Sequence, residues 1–268
     1  MRKEIITVDE KRGIIQVTTT SERWYEFPYT DKITGLVQYK FVPSVTWICE
    51  AGYVKGLAFY KWLANHGWDE AESLKIAAGD KGSKVHHAIG CLLDGKEVKM
   101  GELFLNPSTN QPEELTVEEY ECILSFADWF KATKPTNITK EFCVVNKLEN
   151  YAGMVDMVCT IENQRYLIDL KTSQYIWPSH ELQVSAYKHA LEEELKTAIL
   201  QIGYRKNKRH WKLTEIEDCY DEFLAAKVIW AKETKGQKPL QREYPLSIKL
   251  DIKELENVSA GLNDSNKK

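Results

Sequence analysis

The middle of the chain carries the feature that most restricts its fold. Three strand-like runs follow one another at short range: "ITKEFCVV" (138–145), "GMVDMVCTI" (153–161) and "RYLIDLKT" (165–172). Rich in branched and aromatic residues and separated by short polar turns, they predict an antiparallel meander. A tight turn at Glu162–Asn163 sets Asp156 opposite Asp169. Their side chains then share one face, with Cβ atoms roughly 5 Å apart. Residues two apart also share a face, so Lys171 joins Asp169, while Ile168 and Leu170 turn into the core. A turn centred on Leu148–Glu149 sets Glu141 opposite Asp156 in the same way. Like charges placed opposite one another destabilise a sheet and raise each other's pKa. Two readings are open at this point. A divalent cation with oxygen ligands relieves the repulsion, or the face is solvated and Lys171 merely neutralises Asp169 as a surface pair.

Around the meander the periodicity is helical. "SVTWICEAGY" offers Ser44 as a cap and stops at Gly52, and "GLAFYKWLANHG" stops at Gly67. Residues 69–95 read as helix, a break near Gly79–Gly82, and a second helix. "NPSTNQP" (106–112) reads as a loop, 116–133 as a helix, and 178–195 as a helix opened by Pro178. "TAILQIGYR" and "HWKLTEI" form a hairpin around a basic loop, and "DEFLAAKVIWAKETKG" is a last helix. Short strand-like runs with turn signals fill 13–41. The expected fold class is α/β, a mixed central sheet flanked by helices within a single domain over 1–268. It comprises a β-rich N-terminal extension (1–42), a core (43–236) and a C-terminal segment (237–268) with a frayed end.

Charge and cysteine usage narrow the function. The net charge of −4 argues mildly against a nucleic-acid partner, but "YRKNKRHWK" (204–212) concentrates five Lys/Arg in nine positions while 113–121 and 215–222 are acidic. A solvated turn and a DNA contact are both compatible with such a run. The six cysteines are far apart without a CxxC, which predicts reduced, mostly buried thiols of a cytosolic protein and argues against a thiolate-held iron–sulfur cluster. No apolar run approaches the roughly 20 residues that span a bilayer. "MRKEIITVDEKRG" lacks the form of a signal peptide, so no membrane partner is expected.

In order along the chain stand G-x-x-x-H (Gly82–His86), G-x-x-D (Gly153–Asp156), D-x-K (Asp169–Lys171) and Q-x-x-x-Y (Gln183–Tyr187). The string resembles the RecB-like branch of the PD-(D/E)XK nucleases. "FVPSVTWI" (41–48) is similar to a segment of phage-type exonucleases and the mitochondrial genome maintenance exonuclease. The resemblance runs from about Pro43 to Tyr204, with Val155 where the superfamily has Pro and Asp169 where its name has Glu. It implies a restriction-endonuclease-like sheet and a Mg²⁺ or Mn²⁺ ion held by His86, Asp156, Asp169 and the Leu170 main-chain carbonyl. Lys171 would act beside the metal and Glu141 would hold a second metal or its water. Gln183 and Tyr187 would grip DNA, with Arg205, Lys206, Lys208 and Arg209 as backbone contacts. His180 is a further DNA contact, and Tyr204, Trp177 and Trp211 are candidates for stacking on unpaired bases. The implied activity is a metal-dependent DNA exonuclease of phage or bacterial DNA processing, with a helicase or recombinase as partner protein. An endonuclease of the same fold and a non-catalytic DNA-binding subunit are the alternatives.

Overall fold

The structure is a computed structural model that describes residues 4–19, 22–236, 238 and 239. Most of the expected C-terminal segment (237–268) therefore lies outside the described residues. The described chain is a mixed α/β fold with six helices and three sheets. Four strands, β1 (Glu4–Asp9), β2 (Ile14–Thr18), β3 (Arg23–Thr30) and β4 (Val37–Pro43), pair in sequence order as an antiparallel sheet. This is the expected β-rich extension with one more strand, since the run preceding Gly13 also pairs.

Ser44 then caps α1 (Val45–Gly52) by accepting the Trp47 N–H at 3.1 Å. Next comes α2 (Leu57–His66), which ends at Gly67 and buries none of its residues. The 26-residue α3 (Trp68–Leu93) runs through Gly79 and Gly82, where a break was expected. Each glycine costs the helix only about 1 kcal/mol, and the C-terminal half docks firmly enough to carry that cost. "NPSTNQP" is likewise more ordered than a loop, forming the turn and ends of a hairpin between β5 (Leu103–Asn106) and β6 (Gln111–Glu114). Asn106 stabilises that turn by accepting from the Ser108 and Thr109 N–H groups. A full capping box, Thr116 with Glu119, starts α4 (Val117–Thr133).

The central sheet has the order β11-β10-β9-β8-β7. Antiparallel β7 (Thr136–Asn146), β8 (Tyr151–Ile161) and β9 (Gln164–Lys171) form the expected meander. α5 (Pro178–Leu191) crosses over to β10 (Lys196–Ile202), which lies parallel to β9. It stops short of the expected residue 195 because Glu192 turns left-handed, at φ 54°. β11 (Trp211–Ile216) closes the edge and α6 (Tyr220–Thr234) follows.

Both faces of this sheet are covered. Val158, Leu167 and Ile199 pack with α1, α5 and α6 on one face, while Met157, Cys159, Ile168, Leu170 and Leu200 pack with α3 and α4 on the other. That double burial explains why β8, β9 and β10 read as nearly continuous apolar runs. Trp24 of β3, Trp47 of α1 and Trp230 of α6 meet edge to face, 4.9–5.9 Å between ring centroids, and fasten the N-terminal sheet to the core. No described helix is long and apolar enough to cross a membrane.

At Gly52 α1 lies directly against the α6 backbone, since a Cβ there would lie 2.0 Å from the Ala226 carbonyl oxygen. Gly79 of α3 faces open space. Gly52→Ala is therefore expected to destabilise the protein by about 2 kcal/mol in urea unfolding, by overpacking. Gly79→Ala should stabilise it by about 0.5–1 kcal/mol.

Candidate functional site

The meander has the expected register, and its ladder opens at the acidic residues. Pairing of β8 with β9 runs from Ile161↔Gln164 to Met157↔Ile168 and ends one step short of Asp156 and Asp169. On the other side Lys140↔Met157 is followed by Phe142↔Val155, and Glu141, with φ 45°, is not a ladder partner of Asp156. The simple picture of three carboxylates facing one another across intact rungs is thus corrected. Close pairing would force the like charges together; β8 and β9 part at this point, while β7 and β8 stay paired on either side of Glu141.

Asp156 fills the opening. Its Oδ2 accepts the Leu170 N–H at 2.8 Å, in place of a strand partner, and its Oδ1 lies 3.5 Å from His86 Nδ1. His86 Nε2 donates to the Leu170 carbonyl at 3.1 Å. The neighbouring His87 instead packs its ring against Phe104, so the motif spacing selected the histidine that reaches the site. α3 is anchored two residues earlier by Lys84, which is buried with Nζ 3.0 Å from Glu119 Oε1 and 3.5 Å from Glu113 Oε2.

Asp169 is only 1% exposed. Its Oδ2 lies 2.6 Å from Lys171 Nζ, a close charge-assisted contact. Burial, only partly offset by Lys171 and reinforced by the Asp156 charge, pushes the Asp169 carboxyl up to about 6. Burial also raises Asp156, yet the opposing effect of His86, Lys171 and the Leu170 N–H is greater and holds it below the usual carboxylate range. The same balance works in reverse for the bases. Burial disfavours the cations of His86 and Lys171, but Asp156 and Asp169 hold both protons more tightly than usual.

A relay of side chains fixes the lysine. Lys171 Nζ donates to Gln183 Oε1 at 3.3 Å, and Gln183 Nε2 donates to the Tyr187 hydroxyl at 3.0 Å. Tyr187 is 2% exposed, so it has no open surface with which to grip DNA. The expectation that pairs it with Gln183 as a DNA contact is corrected accordingly: Tyr187 sets Gln183, and Gln183 sets Lys171. The ring rests on bare backbone, because a Cβ at Gly153 would come 2.4 Å from Tyr187 Cε1. The glycine of G-x-x-D and the tyrosine of Q-x-x-x-Y are one packing unit.

The remaining expected residues lie around this centre. Glu141 is exposed and lines a small cleft with His86, Gly90, Lys140, Asp156 and Leu170. His180 Nδ1 accepts the Trp177 N–H at 3.4 Å. Burial, with Lys171 and Lys55 nearby, pushes its imidazole down to about 3, so it is neutral. β9 and β10 are parallel, so the basic loop after β10 leaves the sheet at the same end as Lys171. Arg205, Lys206, Lys208 and Arg209 are all exposed on it. Arg205 pairs with Glu118 at 2.6 Å, Lys206 lies over the Tyr175 ring and Arg209 beside Trp211. Tyr204 and Trp211 are half-buried, Trp211 against the α4 side of the core, whereas Trp177 is 52% exposed. Tyr175, 58% exposed, escaped the sequence reading; its signal was an aromatic three residues before the start of α5.

As to donors, the described residues contain no group of three His, Cys, Asp or Glu side chains converging as a ready-made metal cage. The available set is His86, Asp156, the Leu170 carbonyl and the Asp169 carboxylate beside Lys171. No protein-family model and no curated protein matches the chain.

The Gly153–Tyr187 contact is testable by a double-mutant cycle. Gly153→Ala should cost about 2 kcal/mol of unfolding free energy in the native background. It should cost at least 1 kcal/mol less on Tyr187→Ala, where the ring it collides with is gone.

Proposed function

We propose that the chain is a metal-dependent DNA exonuclease of the RecB-like PD-(D/E)XK type, built on a restriction-endonuclease-like sheet. The observation that carries the reading is the buried Asp169–Lys171 pair at the point where β8 and β9 part, flanked by Asp156 and His86. A buried ion pair is weak as a stabilising device, and perturbed carboxylates clustered in a cleft are a mark of functional sites. The four sequence motifs supply the family, and the contacts between them supply a reason for their spacing.

The donor set suits a hard cation. His86, Asp156 and the Leu170 carbonyl would hold it, the imidazole giving up its hydrogen bond to that carbonyl to do so. The Asp169 carboxylate, which Lys171 faces at 2.6 Å, would be a further ligand. With few protein ligands, Mg²⁺ or Mn²⁺ would keep waters, and the imidazole favours Mn²⁺ of the two. When bound, the ion supplies a water of lowered pKa and neutralises charge on the attacked phosphate. The protein's own part is positional. Asp156 holds the Leu170 amide and so presents the adjoining carbonyl, and Gln183 aims Lys171. Lys171 remains an ammonium and would offset the negative charge that builds on the phosphate oxygens as the bond to the water oxygen forms and the bond to the leaving sugar oxygen breaks. DNA is the proposed partner, and a helicase or recombinase a second one.

The test is incubation with end-labelled linear and circular DNA in Mg²⁺, Mn²⁺ or EDTA. Linear DNA should be degraded from its ends with either metal and not in EDTA, and circular duplex should survive. Asp169→Ala should remove detectable cleavage, and Lys171→Ala should lower it about 10²–10³-fold while Mn²⁺ still binds. Cleavage of circles would make the protein an endonuclease. DNA binding without any cleavage would make it a non-catalytic subunit.

The pH dependence has a definite sign. A metal needs Asp169 deprotonated, and that carboxyl holds its proton up to about pH 6. His86, also held protonated more tightly than usual, competes in the same sense. Calorimetric Mn²⁺ affinity should fall by tenfold or more per unit below about pH 6. Asp169→Asn should make that fall shallower.

A further inference from the structure

Between Lys171 and α5 the chain crosses residues 172–177, a loop tied down at several points. Gln201 Nε2 donates to the Ser173 carbonyl (2.9 Å) and Ser173 Oγ donates to the Tyr175 carbonyl (2.8 Å). Gln174 donates to the Gly203 carbonyl (2.8 Å) and accepts the Arg205 N–H (2.9 Å). A loop braced to this degree has little freedom to fold its side chains away. It nonetheless holds Tyr175 and Trp177 outward, 58% and 52% exposed, with ring centroids 6.0 Å apart and planes tilted by 42°. Lys206 Nζ lies 4.0 Å from the Tyr175 ring centroid. Single exposed aromatics are ordinary. Two on a braced loop, with a cation over one and a buried ion pair four residues upstream, form a surface of definite chemistry. Flat π-faces recognise other flat π-faces, and the ammonium recognises an anion within a few ångströms of them. A nucleobase with its phosphate combines the two. The bases of a duplex keep their faces stacked on one another, so the matching ligand is unpaired.

We infer that Tyr175, Trp177 and Lys206 form a platform that binds the unpaired bases and adjoining phosphate of a single-stranded DNA segment on its way to Lys171. The direction toward Lys171 rests on the nuclease proposal; the platform itself does not.

The test uses the full chain in EDTA, where no metal-dependent cleavage occurs, with a fluorescently labelled oligothymidine and a blunt duplex of equal length. Fluorescence anisotropy should show that Tyr175→Ala/Trp177→Ala weakens single-strand binding about 30-fold, with duplex binding changed less than about twofold. Trp177→Phe, which keeps a ring, should retain most of the single-strand affinity. The melting temperature of the double variant should stay within about 2 °C of the parent, because both side chains are exposed. Unchanged single-strand affinity, or an equal loss on the duplex, overturns the platform. A gel assay with Mn²⁺ separates the two proposals. If the parent cleaves no DNA but shows the platform-dependent binding, the nuclease proposal falls and the platform stands. If parent and double variant degrade single strands equally well, the platform falls and the nuclease proposal stands.

Discussion

The hydrogen bond from the Leu170 amide to the Asp156 carboxylate is the contact on which the centre of this molecule turns. An N–H inside a sheet must have a partner, and here the partner strand has already departed. Because a side chain satisfies the amide, β8 and β9 can part without leaving an orphaned donor. Their parting makes room for His86 to reach across from α3, and it leaves the Leu170 carbonyl facing that histidine. Every other polar feature of the centre follows from this opening. Asp169 keeps company with Lys171 rather than with a facing rung, and Lys171 reaches Gln183 on the helix above.

Burial sorts the charged residues into two kinds. Among the described residues Lys84, Glu119 and Asp169 are the charged side chains that are fully buried. Lys84 and Glu119 satisfy one another, and Glu119 also completes the cap of α4, so the pair has a structural reason to exist. Asp169 instead pairs with Lys171, whose side chain stays 20% exposed and reaches on to Gln183.

Much of this was legible in the sequence, and the reasons differ by element. Branched and aromatic runs placed β7, β8 and β9, and the tight turns between them gave the register, because a short turn fixes which residues face each other across a hairpin. A cap and glycines placed α1 and α2, and the helical spacing of apolar residues placed α4. The unbroken α3 was not legible, because two glycines weigh against a helix locally and only docking outweighs them. At the site, motif spacing chose His86 over His87, and helical spacing put Gln183 and Tyr187 on one face. What spacing could not convey was depth. That Tyr187 lies beneath the surface, on the backbone of Gly153, depends on how closely α5 settles on β8, a tertiary distance with no local signature. The local opening at Asp156 was hidden for a similar reason, since pairing rules predict rungs and have no term for a side chain that replaces one.

The separation of His86 from its contact, 84 residues along the chain, has a consequence for biosynthesis. The carboxylates arise from the meander, whose neighbours are close in sequence and whose pairing can form early, whereas the histidine arrives only when α3 swings onto the far face of the sheet. Long-range contacts of this sort are the slow ones to close. A polypeptide emerging from the ribosome would therefore carry its acidic strands for a time without their imidazole, and the centre would come into being as one of the last acts of maturation.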